Sequence, residues 1–162
     1  MKRIEERIGH LLRKMRATIS VAESCTGGLI AHRITNVAGS SDYFESAVVS
    51  YSNQTKVELL RVPQSLIDQH GPVSEAVARE MAEGIREGRK TTIGLAATGV
   101  AGPSGGTPEV PVGTVFIALA TPDDATVKRF HFPGRRIQIK ELAAEKALEM
   151  VLEYCNSHEA TR

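Results

Sequence analysis

Tryptophan is absent from the 162 residues, aromatic side chains make up only 4%, there are two cysteines, and neither sign of charge dominates, with Lys+Arg 20 against Asp+Glu 19. Each scarcity excludes something. Without a basic stripe or aromatic platforms for stacking, and with a net charge of +1, the chain is not expected to bind nucleic acid. Cys25 and Cys155 stand far apart with no C-x-x-C spacing, so neither a disulfide framework nor a zinc site is indicated, and reduced thiols are the simpler reading. The histidines at 10, 32, 70, 131 and 158 form no i, i+4 pair and no cluster with carboxylates, so no metal and no cofactor are expected. No apolar run approaches the ~20 residues that span a bilayer. The segment from Met1 to Arg16 is charged and periodic instead of basic and then apolar, so a cytoplasmic location without membrane attachment is expected.

What is present suits one globular domain over residues 1–162, with 41% hydrophobic and 24% charged residues. Ile4, Ile8, Leu11, Leu12 and Met15 form one helical stripe, expected to pack on a sheet. A strand from Thr18 to Ala22, a helix from near Gly28, and a second β-rich run from Phe44 to Tyr51 follow. Two short helical pieces span Ser52 to His70, broken at Pro63. Ser74 caps a longer helix that ends by Gly88. Strands are then expected at Ile93–Thr98, Thr114–Ala120 and Thr126–Phe132, the last two joined as a hairpin through Pro122-Asp123-Asp124. A final helix runs from Arg136 to about Asn156, with a loose tail at 157–162. The alternation predicts a three-layer α/β/α sandwich around a mixed, mostly parallel sheet. Between Gly99 and Gly113 lies an irregular connection far richer in glycine and proline than a hairpin needs, and long ordered loops of this kind are usually functional.

Chemistry concentrates where the first strand meets its helix, in Val21-Ala22-Glu23-Ser24-Cys25-Thr26-Gly27-Gly28. A serine there projects past the sheet, near the first N–H groups of the next helix, which suits a nucleophile beside an oxyanion site. Serine before a helix is also a common N-cap. Lys56 is out of place in the first turn of the helix capped by Ser52, because the partial positive charge of a helix start disfavours an ammonium. A neutral lysine can deprotonate serine, provided that burial supplies the roughly 4 to 5 kcal/mol needed to bring its pKa from about 10.4 to near 7. The alternative is a lysine snorkelling to solvent. Tyr51 donates to the leaving group, holds the lysine or packs in the core, and Glu23 orients the site, accepts a substrate hydroxyl, or caps a helix. Cys25 is a rival nucleophile with no nearby histidine in sequence to activate it. Gly99, Gly102, Gly105 and Gly106 allow backbone N–H groups to converge on an anion such as phosphate, and the fork of Arg136 suits the same group.

Taken in order, Ala22-Glu23-Ser24-Cys25-Thr26-Gly27-Gly28, Gly39-Ser40-Ser41, Tyr51-Ser52-Asn53 with Lys56, Gly71-Pro72-Val73-Ser74, Thr98-Gly99-Val100-Ala101-Gly102-Pro103 and Pro111-Val112-Gly113-Thr114-Val115 resemble the CinA C-terminal domain family, over about Ile4 to Leu152. The chain resembles that family's stand-alone form. The resemblance implies an amidohydrolase that converts nicotinamide mononucleotide and water to nicotinic acid mononucleotide and ammonia, without a metal. It implies Ser24 as nucleophile, Lys56 as general base and Tyr51 as a proton-transfer partner, with an oxyanion hole from N–H groups at Thr26, Gly27 and Gly28. Thr98 and the following glycines would line the pocket. Arg136 would meet the phosphate, with Arg135 and Lys140 as alternatives, and a homodimer is the family's habit. Two other readings remain: a nucleotide-binding module without turnover, and an interaction protein in competence or damage response.

Overall fold

Period-two alternation along the central strands decides the architecture. In a computed structural model describing residues 2–159, Ile93, Leu95 and Ala97 of β3 (Ile93–Gly99) and Val115, Ile117 and Leu119 of β4 (Thr114–Ala120) join one apolar cluster, while Ala96, Phe116, Ala118 and Ala120 join a second on the opposite face. A sheet buried on both sides needs helices on both. The first face carries α1 (Ile4–Met15), α2 (Leu29–Thr35) and α6 (Arg136–Glu159). The second carries α5 (Glu75–Arg89), buttressed by α3 (Asn53–Leu60) and α4 (Gln64–His70). With β1 (Ile19–Glu23), β2 (Phe44–Val49) and β5 (Ala125–His131) the chain completes a three-layer α/β/α sandwich.

The strand order is β2-β1-β3-β4-β5. β1 pairs parallel with both β2 and β3, β4 is antiparallel to β3, and β5 is antiparallel to β4, so β4 alone runs against the other four. The chain leaves β1 toward β2 and leaves β3 toward β4, on opposite sides. In open α/β sheets such a divergence opens a crevice beyond the carboxyl ends of the two strands. Here it lies between Glu23 and Gly99.

Close approach of backbone seals the second face. A Cβ on Gly94 would lie 2.1 Å from the carbonyl oxygen of Ala82, so only glycine lets α5 sit this near β3. On the first face Arg33 of α2 bonds Glu5 of α1 at 2.6 Å and Glu145 of α6 at 2.7 Å, tying the three helices together. This triple contact holds the last turn of α2.

Several expectations need adjustment. The stripe of α1 packs mainly along α6 and α2 instead of directly on the sheet, since those two helices already occupy that face. α6 continues through Glu159 rather than ending near Asn156: His158 lies over the Tyr154 ring with centroids 4.0 Å apart, and Glu159 pairs with Lys14. Residues 160–162, the end of the expected tail, lie outside the described residues. β1 and β5 are each displaced by one residue from the expected bounds, β2 ends at Val49 instead of Tyr51, and α5 runs past Gly88 to Arg89. No helix among the described residues is long and apolar enough to cross a membrane.

Candidate active site

β1 ends at Glu23, and the ladder to β3 continues for one more rung, the Ser24 N–H donating to the Ala97 carbonyl at 3.0 Å. Ser24 is therefore held by its backbone while its side chain extends past the sheet. The turn that follows needs two glycines with left-handed backbone, Gly27 at φ 60° and Gly28 at φ 98°. Glu23 is fully buried, and its carboxylate closes the start of α2. One oxygen accepts from the Thr26 hydroxyl at 2.6 Å, the Gly28 N–H at 3.0 Å and the Ile30 N–H at 3.2 Å, and the other accepts from the Ala31 N–H at 2.9 Å. The positive end of the helix is thus satisfied from within the protein.

Those bonds correct the expected oxyanion site. The Gly27 N–H donates to the Ser24 carbonyl at 3.0 Å and the Gly28 N–H to Glu23, so neither is available to a ligand. Among the described residues, the turn amides without a backbone acceptor are those of Cys25 and Thr26. Glu23 likewise has its carboxylate occupied as a helix cap, the third of the three roles open to it.

Ser52 caps α3, accepting from the Thr55 N–H at 3.1 Å, and Lys56 makes the first intrahelical bond, its N–H to the Ser52 carbonyl at 3.2 Å. Because α3 starts just beyond β2, this first turn looks back across the strand ends. The Lys56 side chain is only 2% exposed. Its Nζ lies 2.7 Å from the Ser50 carbonyl oxygen and 3.2 Å from Ser24 Oγ. Among the described residues no carboxylate bonds to that amine, and burial pushes the Lys56 pKa below the ordinary lysine value. The amine donates to both oxygens, and on losing a proton its lone pair is placed to accept the Ser24 hydroxyl proton. Ser50 is itself locked, its N–H donating to the Glu23 carbonyl at 2.7 Å and its hydroxyl to the same oxygen at 3.3 Å.

Cys25 sits in the same turn, and burial, with a smaller contribution from Glu23, pushes its thiol up to about 12. It stays protonated at neutral pH and is a poor nucleophile. Ser24 is the better placed of the two.

A cavity of about 270 Å³ opens over these groups at the carboxyl ends of β1 and β3. Ser24, Cys25 and Lys56 are its buried residues on one side, Thr98, Gly99 and Gly102 line the β3 side, and Tyr51, Gly105 and Arg136 stand at the exposed rim. The Thr98 hydroxyl donates to the Pro72 carbonyl at 2.9 Å, which holds the α4–α5 connection against the cavity. The Arg136 guanidinium donates to the Gly102 carbonyl and to the Tyr51 hydroxyl, both at 2.7 Å, and so bridges the glycine loop and the end of β2. Tyr51 is 61% exposed and is held by Arg136, not by Lys56.

The structure therefore gathers Ser24, Lys56, Tyr51, Thr98, Gly99, Gly102, Gly105 and Arg136 around one cavity. Glu23 and Gly106 do not line it, and a Cβ on Gly106 would lie 2.7 Å from the Val112 nitrogen, so that glycine serves the folding of the loop. Thr26, Gly27 and Gly28 line a neighbouring cavity together with Lys140. Of the three candidate cations only Arg136 reaches the cavity over Ser24; Arg135 lines neither. Asn53, Pro72, Val73 and Ser104 also line the cavity and were not singled out from sequence. Asn53 precedes Lys56 by three positions on one helix face, a spacing that would have found it. Among the described residues no three His, Cys, Asp or Glu side chains gather as metal ligands.

Comparison with known proteins places the chain in a family. A sequence model of the CinA C-terminal domain matches residues 1–155. A CinA-like protein of Citrifermentans bemidjiense is 47% identical over 158 residues, 98% of this chain and 38% of its own length. One from Salinibacter ruber is 51% identical over 146 residues, 90% of this chain and 35% of its own. The chain thus spans little more than a third of these relatives. A competence damage-inducible protein A from Klebsiella pneumoniae superposes with a TM-score of 0.90 at 31% identity over 93% of both chains. A competence/damage inducible protein from Agrobacterium tumefaciens gives 0.91 at 34% identity, over 94% of this chain and 93% of that one.

Proposed function

The chain belongs to the CinA C-terminal domain family, and from that premise we propose that it is a nicotinamide-nucleotide amidohydrolase working through a serine–lysine pair. The substrate class comes from the family resemblance. What supports the chemistry is one observation: a buried amine without a carboxylate partner, 3.2 Å from the hydroxyl of Ser24.

In this reading Ser24 Oγ attacks the carboxamide carbon of nicotinamide mononucleotide as its proton passes to Lys56 Nζ. The oxyanion takes the N–H of Cys25, which follows the nucleophile directly. Collapse of the tetrahedral intermediate breaks the C–N bond, the proton on Lys56 leaves with the nitrogen, and ammonia departs from an ester on Ser24. Water then adds to the ester carbonyl, its proton passing to Lys56 and on to Ser24 Oγ as the acid is released. Arg136 receives the nucleotide phosphate at the rim. The phosphate replaces the Gly102 and Tyr51 oxygens as its acceptors and frees the Tyr51 hydroxyl to share in proton transfer.

The test is ammonia release from nicotinamide mononucleotide by the wild type and by Ser24→Ala, without added metal. Activity in the first and a loss of about a hundredfold or more in the second support the proposal. No release from a folded wild type rejects it.

A further inference from the structure

The most heavily bonded charge near the cavity belongs to a residue that does not line it. Glu23 is fully buried, and each of its polar ends holds a different half of the site. Its carboxylate takes the Thr26 hydroxyl and the amides of Gly28, Ile30 and Ala31, and so anchors the turn carrying Ser24 to the start of α2. Its carbonyl oxygen takes both the N–H and the hydroxyl of Ser50. The Ser50 carbonyl in turn holds Lys56 Nζ at 2.7 Å. The path from nucleophile to base thus runs through one residue: Ser24 follows Glu23 in the chain, and the lysine amine hangs from the strand end clamped to the Glu23 backbone.

We propose that Glu23 is the positioning residue of this site, with Ser50 as its relay: the carboxylate sets where Ser24 Oγ points, and the carbonyl–Ser50 link sets where the Lys56 amine sits. This rests on the serine–lysine reading above for its effect on rate, but not for its effect on geometry. A buried carboxylate with four donors tolerates no neutral isostere, because a glutamine would turn an NH₂ group toward backbone N–H donors. Since the far end of α2 is held from α1 and α6 through Arg33, losing the cap loosens the turn at its start without releasing the whole helix.

The experiment compares Glu23→Gln with Ile85→Val, a core substitution on α5 remote from the cavity that serves as a control for general destabilisation. Ammonia release from nicotinamide mononucleotide gives kcat and KM, and a crystal structure of Glu23→Gln gives the Ser24–Lys56 separation. We expect kcat to fall about 30- to 100-fold with KM within about threefold, as for misplacement by about 1 Å, while Ile85→Val keeps the wild-type kcat. We also expect Ser24 Oγ and Lys56 Nζ to separate beyond about 3.5 Å. A purely structural role would lower stability in both variants and spare kcat in both, and that result overturns the proposal. Should Glu23→Gln not fold, Ser50→Ala and Thr26→Val decide, each removing one bond to Glu23: a fall in kcat of about five- to tenfold at unchanged KM supports the assignment, and wild-type kcat in both refutes it. If the wild type releases no ammonia the proposed function fails by itself, and the Ser24–Lys56 separation in the variant structure still settles the positioning role.

Discussion

Replacing Lys56 by methionine separates the chemistry of the amine from the packing of its stem. Methionine keeps an unbranched apolar chain in a site only 2% exposed, while removing the amine 3.2 Å from Ser24 Oγ. Loss of a general base lowers kcat/KM by about 10²- to 10⁴-fold, or about 3 to 5 kcal/mol of transition-state stabilisation. The same change carries a signature in stability. Lys56 titrates near about 10.4 in the unfolded chain, and burial holds it lower in the folded one. Between those two values the unfolded state carries the extra proton, so wild-type stability rises with pH there by about 1.36 kcal/mol per unit. Below the folded value both states are protonated and the buried ammonium exerts its full cost. Methionine does not titrate, so Lys56→Met gains most over the wild type at acid pH, and its advantage shrinks as the pH climbs toward the ordinary lysine value. Ammonia release, with urea unfolding at about pH 6 and about pH 9, reads both effects. Wild-type activity in Lys56→Met, or a stability difference that ignores pH, refutes the reasoning.

Three further outcomes follow from the same geometry. Cys25→Ala keeps activity within about threefold, because a thiol pushed up to about 12 supplies no thiolate, and slow alkylation of the native thiol near neutral pH checks the cause. Arg136→Met raises KM about ten- to a hundredfold, the worth of a charge-assisted contact to phosphate, with a smaller change in kcat; steady-state kinetics decide, and an unchanged KM removes Arg136 from substrate binding. Gly102→Ala places a Cβ 2.4 Å from a Val112 methyl at φ 76°, so the loop shifts and stability drops by about 1 to 3 kcal/mol, measurable in the same urea titration.

Much of this was legible in the chain because the informative signals are local. A strand stopping at a glycine pair places Ser24, and a serine cap four residues before Lys56 marks that lysine as anomalous in a helix start. The layers follow from alternating apolar periods and stop signals. What sequence patterns do not carry is partnership. That β1 lies between β2 and β3 is a tertiary choice, and it alone brings the first turn of α3 over Ser24. Glu23 had three plausible roles, and only the path of α2 shows its carboxylate consumed by that helix, which in turn removes Gly27 and Gly28 from the expected oxyanion site. Tyr51 was expected to face the lysine or the core, and the distant Arg136 draws its hydroxyl to the rim. Ser50 acts through its carbonyl, a group every residue has, so no residue type could have announced it.

The mechanism requires that burial depress the Lys56 pKa beside Ser24. It is tested most directly by following the carbon-13 shift of the Lys56 Cε against pH in lysine-labelled protein, with Lys56→Met to assign the signal. A single titration below the ordinary lysine value is expected, caused by burial. A Lys56 signal that titrates at about 10.4, like a lysine in water, contradicts it.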